Sequence, residues 1–322
     1  MENPKPYPLK IVVGVLIVIV LIILAVAYLP FLSGIRSWWG TLGAPEAVKN
    51  AAYLDVEDGK GVLYIVGGLG VRKVSYEGYS VIDYVHTKDI EVALLEASDG
   101  SVDLYEVSGD MPVRLTKDGT VKGSLDVSSD GTQIAYASKT RTLPLPTGAT
   151  VEDALYNLGE WDVYVFNEGA VAGEKVGPGN HPRFYKEGLF YPALAGFVYR
   201  IAGEDGYNET DKGSVVQDET TYRITRLPIF SEDGFMAFPN PVVSAYDALQ
   251  IQDVSPLSVA AAPENPLMVP EGTKDISMYK DETYVLMRSA GSTGVFRLTE
   301  GAPEPVLMFP NGVSPERIIQ YR

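Results

Sequence analysis

The stretch LDVSSDGTQIAYAS, from Leu125 to Ser138, decides the fold prediction for this chain. A Ser-Asp-Gly turn at residues 129–131 separates two short runs that are rich in apolar residues, and the second run contains the aromatic Tyr136. Short apolar runs of this kind are typical of strands, and an Asp-Gly pair is typical of a tight turn between them. We therefore predict a pair of antiparallel strands here.

The same pattern of a turn followed by an apolar-aromatic strand recurs along the chain. There are seven copies, whose strands begin at Val62, Glu91, Gln133, Gly188, Phe235, Thr283 and Arg317. A further short strand with an aromatic residue follows six of them, as in VDLYEVSG and WDVYVFNEG. Three or four short strands per unit, repeated at about 45 residues, are typical of β-propeller blades. We predict an all-β fold with a single propeller; the seven copies favour seven blades, and six blades are the alternative, with the last strand acting as the closure.

The repeats also resemble a known family. SSDGTQIAYAS, at residues 128–138, is similar to the Ser-Pro-Asp-Gly-x-x-Ile-Ala-Phe/Tyr signature of TolB-like propeller repeats, which are relatives of the WD-repeat propellers. SEDGFMAF, at residues 231–238, is a looser match, and Ser129 stands where the family has proline. The resemblance implies that the Asp-Gly pair turns between two strands and that the apolar-aromatic run packs between blades. It implies a fold more than a function.

The amino-terminal part of the chain has a different composition. An uncharged apolar run from Ile11 to Leu29 comes close to the roughly 20 residues that a helix needs to cross a bilayer. Lys5 and Lys10 precede this run, and Arg36 is the first basic residue after it. By the positive-inside rule, the amino terminus lies in the cytoplasm and everything after the predicted helix lies outside.

We therefore divide the chain into a cytoplasmic tail (1–10), a transmembrane helix (11–29), a juxtamembrane linker (30–49) and an extracytoplasmic propeller (50–322). The predicted location is the cell membrane, crossed once, with the propeller in the periplasm or outside the cell. A signal peptide cleaved near Ala25–Ala27 is the alternative, although the apolar run exceeds the usual length. Trp38 and Trp39 are expected at the membrane–water interface, or else packed on the domain.

Charge and composition exclude several classes of function. The formal net charge of −16 would repel the phosphates of a nucleic acid, so no nucleic-acid partner is expected. The absence of cysteine excludes disulfides, cysteine-ligated metals and thiol nucleophiles. The two histidines, His86 and His181, are too few for a three-histidine metal site. No Gly-x-Ser-x-Gly nucleophile elbow is present, and VGGLGVRK at residues 66–73 favours a hairpin over a phosphate loop.

An acidic loop suggests the one cofactor that we consider, calcium. DGSVD places Asp99, Ser101 and Asp103 at alternate positions, with Asp110 at the twelfth position of an EF-type loop. Leu104 stands where such a loop requires glycine, and the residues from Asp103 onward read as a strand. The prediction is therefore a turn without a cofactor, with calcium as the alternative.

The insertion from Lys139 to Glu160 interrupts the repeat pattern. Thr150 and Asp153 form a capping box for a short amphipathic helix that a blade does not need. Such a helix covers a face of the domain or docks a partner. The candidate docking residues are Leu143, Leu145, Val151, Leu155, Tyr156, Leu158 and Trp161.

The function predicted from the sequence is a membrane-anchored propeller outside the cell that binds a protein partner, either as an interaction or scaffold module or as a subunit of a cell-envelope complex. The alternative is a propeller enzyme or binding protein that acts on extracellular glycans through carboxylates in the central channel. We name no catalytic residue, since the sequence does not show which carboxylates face the channel. The sequence favours a non-enzyme, and it leaves the oligomeric state open.

Overall fold

The computed structural model describes most of the region after residue 43. The described residues are 44–49, 51–67, 70–109, 111–141, 158–167, 169–170, 172–185, 188–193, 196–203, 206–208, 229–230, 235–240, 245–254, 257–259, 267–268, 270–279, 282–299 and 302–320. No helix among them is long and apolar enough to span a membrane. The predicted transmembrane helix and most of the linker, with Trp38 and Trp39, lie outside these residues.

The described residues form six separate antiparallel sheets, which we number along the chain. Sheet 1 contains β1 (Ala51–Glu57), β2 (Lys60–Gly67), β3 (Gly70–Val74) and the last strand, β25 (Arg317–Gln320). Sheet 2 contains β4 (Tyr79–His86), β5 (Glu91–Ala97), β6 (Val102–Glu106) and β7 (Val113–Arg114). Sheet 3 contains β8 (Val121–Val127), β9 (Gln133–Lys139), β10 (Trp161–Asn167) and β11 (Glu174–Pro178).

The second half of the chain repeats this arrangement. Sheet 4 contains β12 (Arg183–Tyr185), β13 (Gly188–Ala193), β14 (Gly196–Gly203) and β15 (Gly206–Asn208). Sheet 5 contains β16 (Ile229–Phe230), β17 (Phe235–Asn240), β18 (Ala245–Val254), β19 (Leu257–Val259) and β20 (Leu267–Met268). Sheet 6 contains β21 (Thr273–Tyr279), β22 (Glu282–Ser289), β23 (Ser292–Arg297) and β24 (Glu304–Met308). Consecutive strands of a sheet are hydrogen-bonded neighbours, except that β20 pairs with β18 and β25 pairs with β1, so each sheet is built on a meander.

The opening stretch forms the predicted strand pair. β8 and β9 pair antiparallel, with Leu125 opposite Tyr136 and Val127 opposite Ile134. Asp130 accepts hydrogen bonds from Ser128 Oγ (2.6 Å) and Thr132 N (3.1 Å), and Gly131 takes the positive φ of 75° that the turn requires. The Tyr136 ring is 2 % exposed and packs against apolar residues of sheet 2, as the resemblance implied.

The two ends of the propeller region meet in one sheet. β25 pairs with β1, so that Ala51 lies opposite Gln320 and Leu54 lies opposite Arg317. The last strand thus closes sheet 1, the role that the six-blade alternative gave to it. This closure also explains why seven repeat copies correspond to six sheets among the described residues: the copies starting at Val62 and Arg317 both belong to sheet 1. Since β25 is the first strand of sheet 1, the hairpin of β1 and β2 provides the second and third strands of that sheet.

The core lies between the sheets. Alternate residues of one strand enter different hydrophobic clusters: Tyr53 packs toward sheet 6, whereas Leu54 packs toward sheet 2. A short helix, α1 (Glu46–Lys49), adds to the first cluster, because Ala47 and Val48 are buried with Tyr53 and Phe309. The last residues of the predicted linker therefore pack on the domain.

Candidate functional site

The first strands of neighbouring sheets are held together by aspartates. Three sheets carry an aspartate in their first strand, and one carboxylate oxygen of each accepts a backbone N–H from the first strand of the next sheet. The pairs are Asp83 with Leu125 N (3.1 Å), Asp126 with Phe184 N (2.7 Å) and Asp275 with Ile318 N (2.7 Å). Asp83 also binds the Arg317 guanidinium at 3.2 Å. These bonds tie first strands to each other where they converge.

The bonding of these aspartates bears on the enzyme hypothesis. Asp83 and Asp126 are only 2 % and 1 % exposed, and a buried carboxylate is costly unless hydrogen bonds satisfy it. A glycosidase needs one carboxylate that reaches the substrate and a second that stays protonated. The carboxylates in these first strands instead have hydrogen-bonding partners within the protein. Their geometry is that of a structural closure.

Two arginines and a histidine lie where first strands begin. Arg183 starts β12 and donates to Leu125 O at 2.9 Å, and Arg317 starts β25. His181 precedes β12 with a positive φ of 49°, and its backbone N–H donates to Asn180 Oδ1 at 2.7 Å. Burial, together with the smaller effect of the positive charges of Arg183 and Arg317, lowers the pKa of His181 to about 3. The imidazole is therefore neutral at physiological pH.

Buried acids clamp the base of the insertion. Glu160 is 5 % exposed and binds Lys139 Nζ at 2.7 Å, while its backbone oxygen accepts Thr140 N at 3.0 Å. Asp162 is 2 % exposed and accepts hydrogen bonds from Thr140 Oγ1 and Lys175 Nζ, both at 2.7 Å. Burial opposes ionisation of Asp162, but these hydrogen bonds and the nearby positive charges outweigh it and lower the pKa. We call residues 139–141 and 158–162 the stem.

The candidate docking residues fall mainly outside the described part of the chain. Leu143, Leu145, Val151, Leu155 and Tyr156 lie there, as does the predicted capping box. Leu158 begins a 3₁₀ helix that ends at Glu160, and Trp161 begins β10. The half-buried Trp161 ring lies so close to Gly123 that a Cβ on this glycine would be 2.7 Å from the ring. Trp161 therefore packs on the first strand of its own sheet.

The acidic loop considered for calcium is bonded to cations of the protein. Asp99 forms a turn by accepting Ser101 N at 2.9 Å. Asp103 is 1 % exposed in β6 and binds Arg114, Thr116 and Lys122 Nζ, the last at 3.2 Å. Lys122 is itself buried and also reaches Asp118 at 2.7 Å, so it joins sheet 3 to sheet 2. Within the described residues no group of three or more histidines or carboxylates could hold a metal ion.

The strand registers define two opposite faces of the domain. In sheet 3, Val121 and Trp161 both lie opposite Lys139, so the stem lies at the end where the first strand begins. We call this side the insertion face, and it includes the connection through His181. The other side, which includes the turn at 128–132 and the end of β25, we call the entry face, because Ala51 lies there opposite Gln320.

The insertion face carries exposed apolar side chains that sequence reasoning missed. Val56 is 58 % exposed beside the turn after β1, Val121 is 44 % exposed at the start of β8, and Met308 is 45 % exposed at the end of β24. The sequence could not predict their exposure, because the residue type of an apolar side chain at a strand end does not show whether a neighbouring sheet covers it. Methionine is enriched in protein interfaces, and Met308 is the methionine of this set.

His86, the other histidine, lies at the end of β4. Its ring is 5.3 Å from that of Tyr84, whose hydroxyl donates to Glu91 at 3.0 Å. Burial raises the pKa of Tyr84, and the carboxylate of Glu91 raises it further. The surroundings of His86 are thus aromatic packing at the entry face.

Comparisons with known proteins identify the fold. No protein-family model matches the sequence, and no curated protein does. Among solved structures, TolB from Acinetobacter baumannii is similar with a TM-score of 0.53 and 12 % identity, over 86 % of this chain and 67 % of that one. A functionally unknown protein from Desulfotomaculum acetoxidans gives a TM-score of 0.49 and 12 % identity over 83 % and 82 % of the two chains. A putative 6-phosphogluconolactonase from Bacteroides fragilis gives 0.45 and 10 % over 85 % of each. The similarity to TolB, together with the meandering four-stranded sheets, shows that this chain has a β-propeller fold.

Proposed function

We propose that this chain is a membrane-anchored β-propeller that binds a protein partner outside the cell through its insertion face. The anchor is the apolar run Ile11–Leu29, with the amino terminus in the cytoplasm and Trp38 and Trp39 at the membrane boundary. The domain needs no cofactor for this role. Its acidic charge keeps it soluble and away from anionic lipid headgroups.

The stem is the observation that carries the proposal. Both ends of the insertion are fixed by buried, ion-paired acids, Glu160 and Asp162. Removing one partner of a buried ion pair is strongly destabilising, so these pairs hold the two ends of the insertion together. A base held in this way supports the interpretation of residues 142–157 as a docking element, with the candidate contacts Leu143, Leu145, Val151, Leu155, Tyr156 and Leu158, and with Trp161 as their support.

We further propose that the six sheets are six blades of a closed ring. The first strand of sheet 6 contacts that of sheet 1, and the first strands of sheets 1 to 4 contact each other in turn. Since β25 completes sheet 1, the last strand of the described region does not remain an unpaired edge. A closed ring is rigid, which suits a binding platform.

The glycan-enzyme alternative receives less support from the same residues. Asp83, Asp126 and Asp275 accept backbone N–H groups of the adjoining sheets and act in closure. A binding role requires no carboxylate to reach a substrate. The binding hypothesis is therefore the one that we propose.

The test is partner capture from native membranes with matched variants. The full-length protein is compared with a variant in which residues 142–157 are replaced by a short Gly-Ser linker, and with Lys88→Glu, an exposed change on the entry face. We expect a partner that is captured by the full-length protein and by Lys88→Glu but is lost with the insertion. Any candidate is then purified, and its dissociation constant for the three proteins is measured.

Two results would contradict the proposal. A partner that binds the linker variant as tightly as the full-length protein would remove the insertion from the binding site. Hydrolysis of a glycan by the purified protein, abolished by Asp83→Asn in a variant that still folds, would replace the binding role with the enzymatic one.

A further inference from the structure

The surface of the stem is cationic, although the protein as a whole is strongly acidic. Lys139 binds Glu160 at 2.7 Å, and Arg141 and Lys175 bind the two oxygens of Asp162 at 3.5 Å and 2.7 Å. The three basic side chains are between 35 % and 51 % exposed, whereas the two carboxylates are 6 % and 3 % exposed. Positive charge is therefore presented to solvent in a chain whose formal net charge is −16. We call Lys139, Arg141 and Lys175 the cationic rim.

The described residues around the cationic rim do not cancel its charge. The connection before β8 contributes one exposed carboxylate, Asp118, and one exposed cation, Lys117. Asp118 is itself bonded to the buried Lys122 at 2.7 Å. Glu174 is exposed next to Lys175, but adjacent residues of a strand point to opposite sides of the sheet. The surface of the stem therefore keeps an excess of positive charge.

The insertion face is not cationic throughout. Where the first strands of sheets 6 and 1 begin, Lys274 and Glu316 form an ion pair at 2.6 Å, but here the lysine is 18 % exposed and the glutamate 55 %. The acid faces solvent in this pair, which is the reverse of the stem. The cationic rim thus coincides with the point at which residues 142–157 leave the domain and return to it.

The chemistry of the cationic rim suits carboxylates. A guanidinium such as that of Arg141 matches a carboxylate in a planar fork, and charge-assisted hydrogen bonds of this kind are stronger than neutral ones. Val121 lies opposite Lys139 in the strand register and is 44 % exposed, so it adds an aliphatic contact beside the cations. Charges beyond about 8 Å are largely screened at physiological ionic strength, so the nearest groups decide what binds.

We infer, on the basis of the proposed function, that the protein partner presents an acidic segment to the stem, whose carboxylates pair with the cationic rim and whose aliphatic side chain packs on Val121. The net charge of the chain favours a basic partner, whereas the local arrangement of the stem selects an acidic one. Complementary charges at such a contact set the choice of partner and the rate of encounter more than the affinity.

The test is a selection of short random peptides, displayed on phage, against the full-length protein in detergent. We expect the selected peptides to be enriched in Asp and Glu and to include an aliphatic residue. They are then synthesised with a fluorescent label, and their dissociation constants are measured by fluorescence anisotropy. The variants are Arg141→Gln and Lys175→Gln, with Lys175→Arg as the conservative change and Lys88→Gln as the control on the entry face.

Loss of one cation should weaken binding by roughly two- to fivefold, as for exposed ion pairs, whereas Lys175→Arg and Lys88→Gln should leave the affinity unchanged. Raising the salt concentration from about 0.1 M to about 1 M should weaken binding as well, because the screening length falls from about 10 Å to about 3 Å. Either glutamine variant leaves Asp162 with its other cation and with Thr140, and circular dichroism verifies that the fold is kept.

The outcomes separate this inference from the proposed function. Selected peptides that have no excess of acidic residues but are lost when the Gly-Ser linker replaces residues 142–157 would overturn the acidic partner and leave the proposed function in place. Acidic peptides that bind both glutamine variants as tightly as the full-length protein, or a selection without any enriched peptide, would also overturn it. Acidic peptides that need the cationic rim but bind the linker variant undiminished would instead overturn the role of the insertion.

Discussion

Replacing Gly61 by alanine is the most direct test of how closely sheets 1 and 2 approach each other. Gly61 lies in β2, and a Cβ at this position would be 1.8 Å from the backbone oxygen of Val81 in β4. Ordinary contact begins at 3.4 Å, so the two backbones would have to separate by about 1.6 Å. The Val81 oxygen is a backbone atom, so no side chain can rotate to relieve the contact. The Gly61 N–H also donates to Ser80 Oγ at 2.9 Å, and separation would lengthen this bond.

The expected loss of stability follows from these two effects. Overpacking of a tight interior contact costs about 1–3 kcal/mol, and a weakened buried hydrogen bond adds about 1 kcal/mol. We therefore expect Gly61→Ala to lower the free energy of unfolding by about 3 kcal/mol, a large part of the roughly 5–15 kcal/mol of an ordinary domain.

A second glycine of the same strand provides the control. A Cβ on Gly67 would meet nothing closer than 3.9 Å, so Gly67→Ala should change stability by less than about 1 kcal/mol in either direction. Urea unfolding of both variants and the unsubstituted protein, followed by tryptophan fluorescence and circular dichroism, gives the three free energies. If Gly61→Ala were as stable as Gly67→Ala, the backbone contact between sheets 1 and 2 would be refuted.

Three further predictions concern charged and buried groups. Lys122→Met should destabilise the domain by about 3 kcal/mol by leaving the buried carboxylate of Asp103 with only one of its two cations, and adding Asp103→Asn should restore part of the loss in urea unfolding; no recovery would contradict the pairing. His181 is protonated near pH 6.5 in the unfolded chain but only near pH 3 in the folded chain, so the free energy of unfolding should fall as the pH drops through this window. The fall should be less steep in His181→Asn, because asparagine tolerates the positive φ and does not titrate here. Parallel pH profiles of the two proteins would argue against a buried neutral imidazole. Asp275→Ala removes the acceptor of Ile318 N, so hydrogen exchange of residues 317–320, read by mass spectrometry, should accelerate; unchanged exchange would show that pairing with β1 is sufficient.

The local strand pattern was predictable because it depends on neighbouring residues. The stretch from Leu125 to Ser138 contains its own turn chemistry, in which Asp130 and Gly131 satisfy the tight bend, and its own apolar run for the interior. The hairpin at residues 66–73 was predictable for the same reason, and Gly67 pairs with Gly70 across it. Repetition of such units predicted a propeller without any knowledge of a contact between sheets.

The role of each strand within its sheet was not predictable in the same way. The hairpin from Leu54 to Val66 looks like the other repeat copies, but its strands are the second and third of sheet 1 because β25 takes the first place. This assignment depends on a pairing between residues near opposite ends of the chain. No local pattern specifies such a pairing.

The candidate site shows the same division. The sequence singled out the insertion, since residues 139–160 interrupt the repeat, and it identified the acidic stretch around Asp103. Only the tertiary structure showed that Glu160 and Asp162 clamp the stem and that Arg114 and Lys122 surround Asp103. These ion pairs join residues that lie 11 or more positions apart in the chain, and the sequence does not show which carboxylates have such a partner.

The sequence by itself therefore determined the class of fold, the repeated unit, the apolar run that predicts the anchor and the position of the insertion, because each is set by composition or by residues close together in the chain. The tertiary structure decided which strands share a sheet, which aspartates join neighbouring sheets, and which face carries the stem. The physical reason is that hydrogen bonding and burial within and between sheets bring together residues that lie far apart in the chain, as when the last strand pairs with the first.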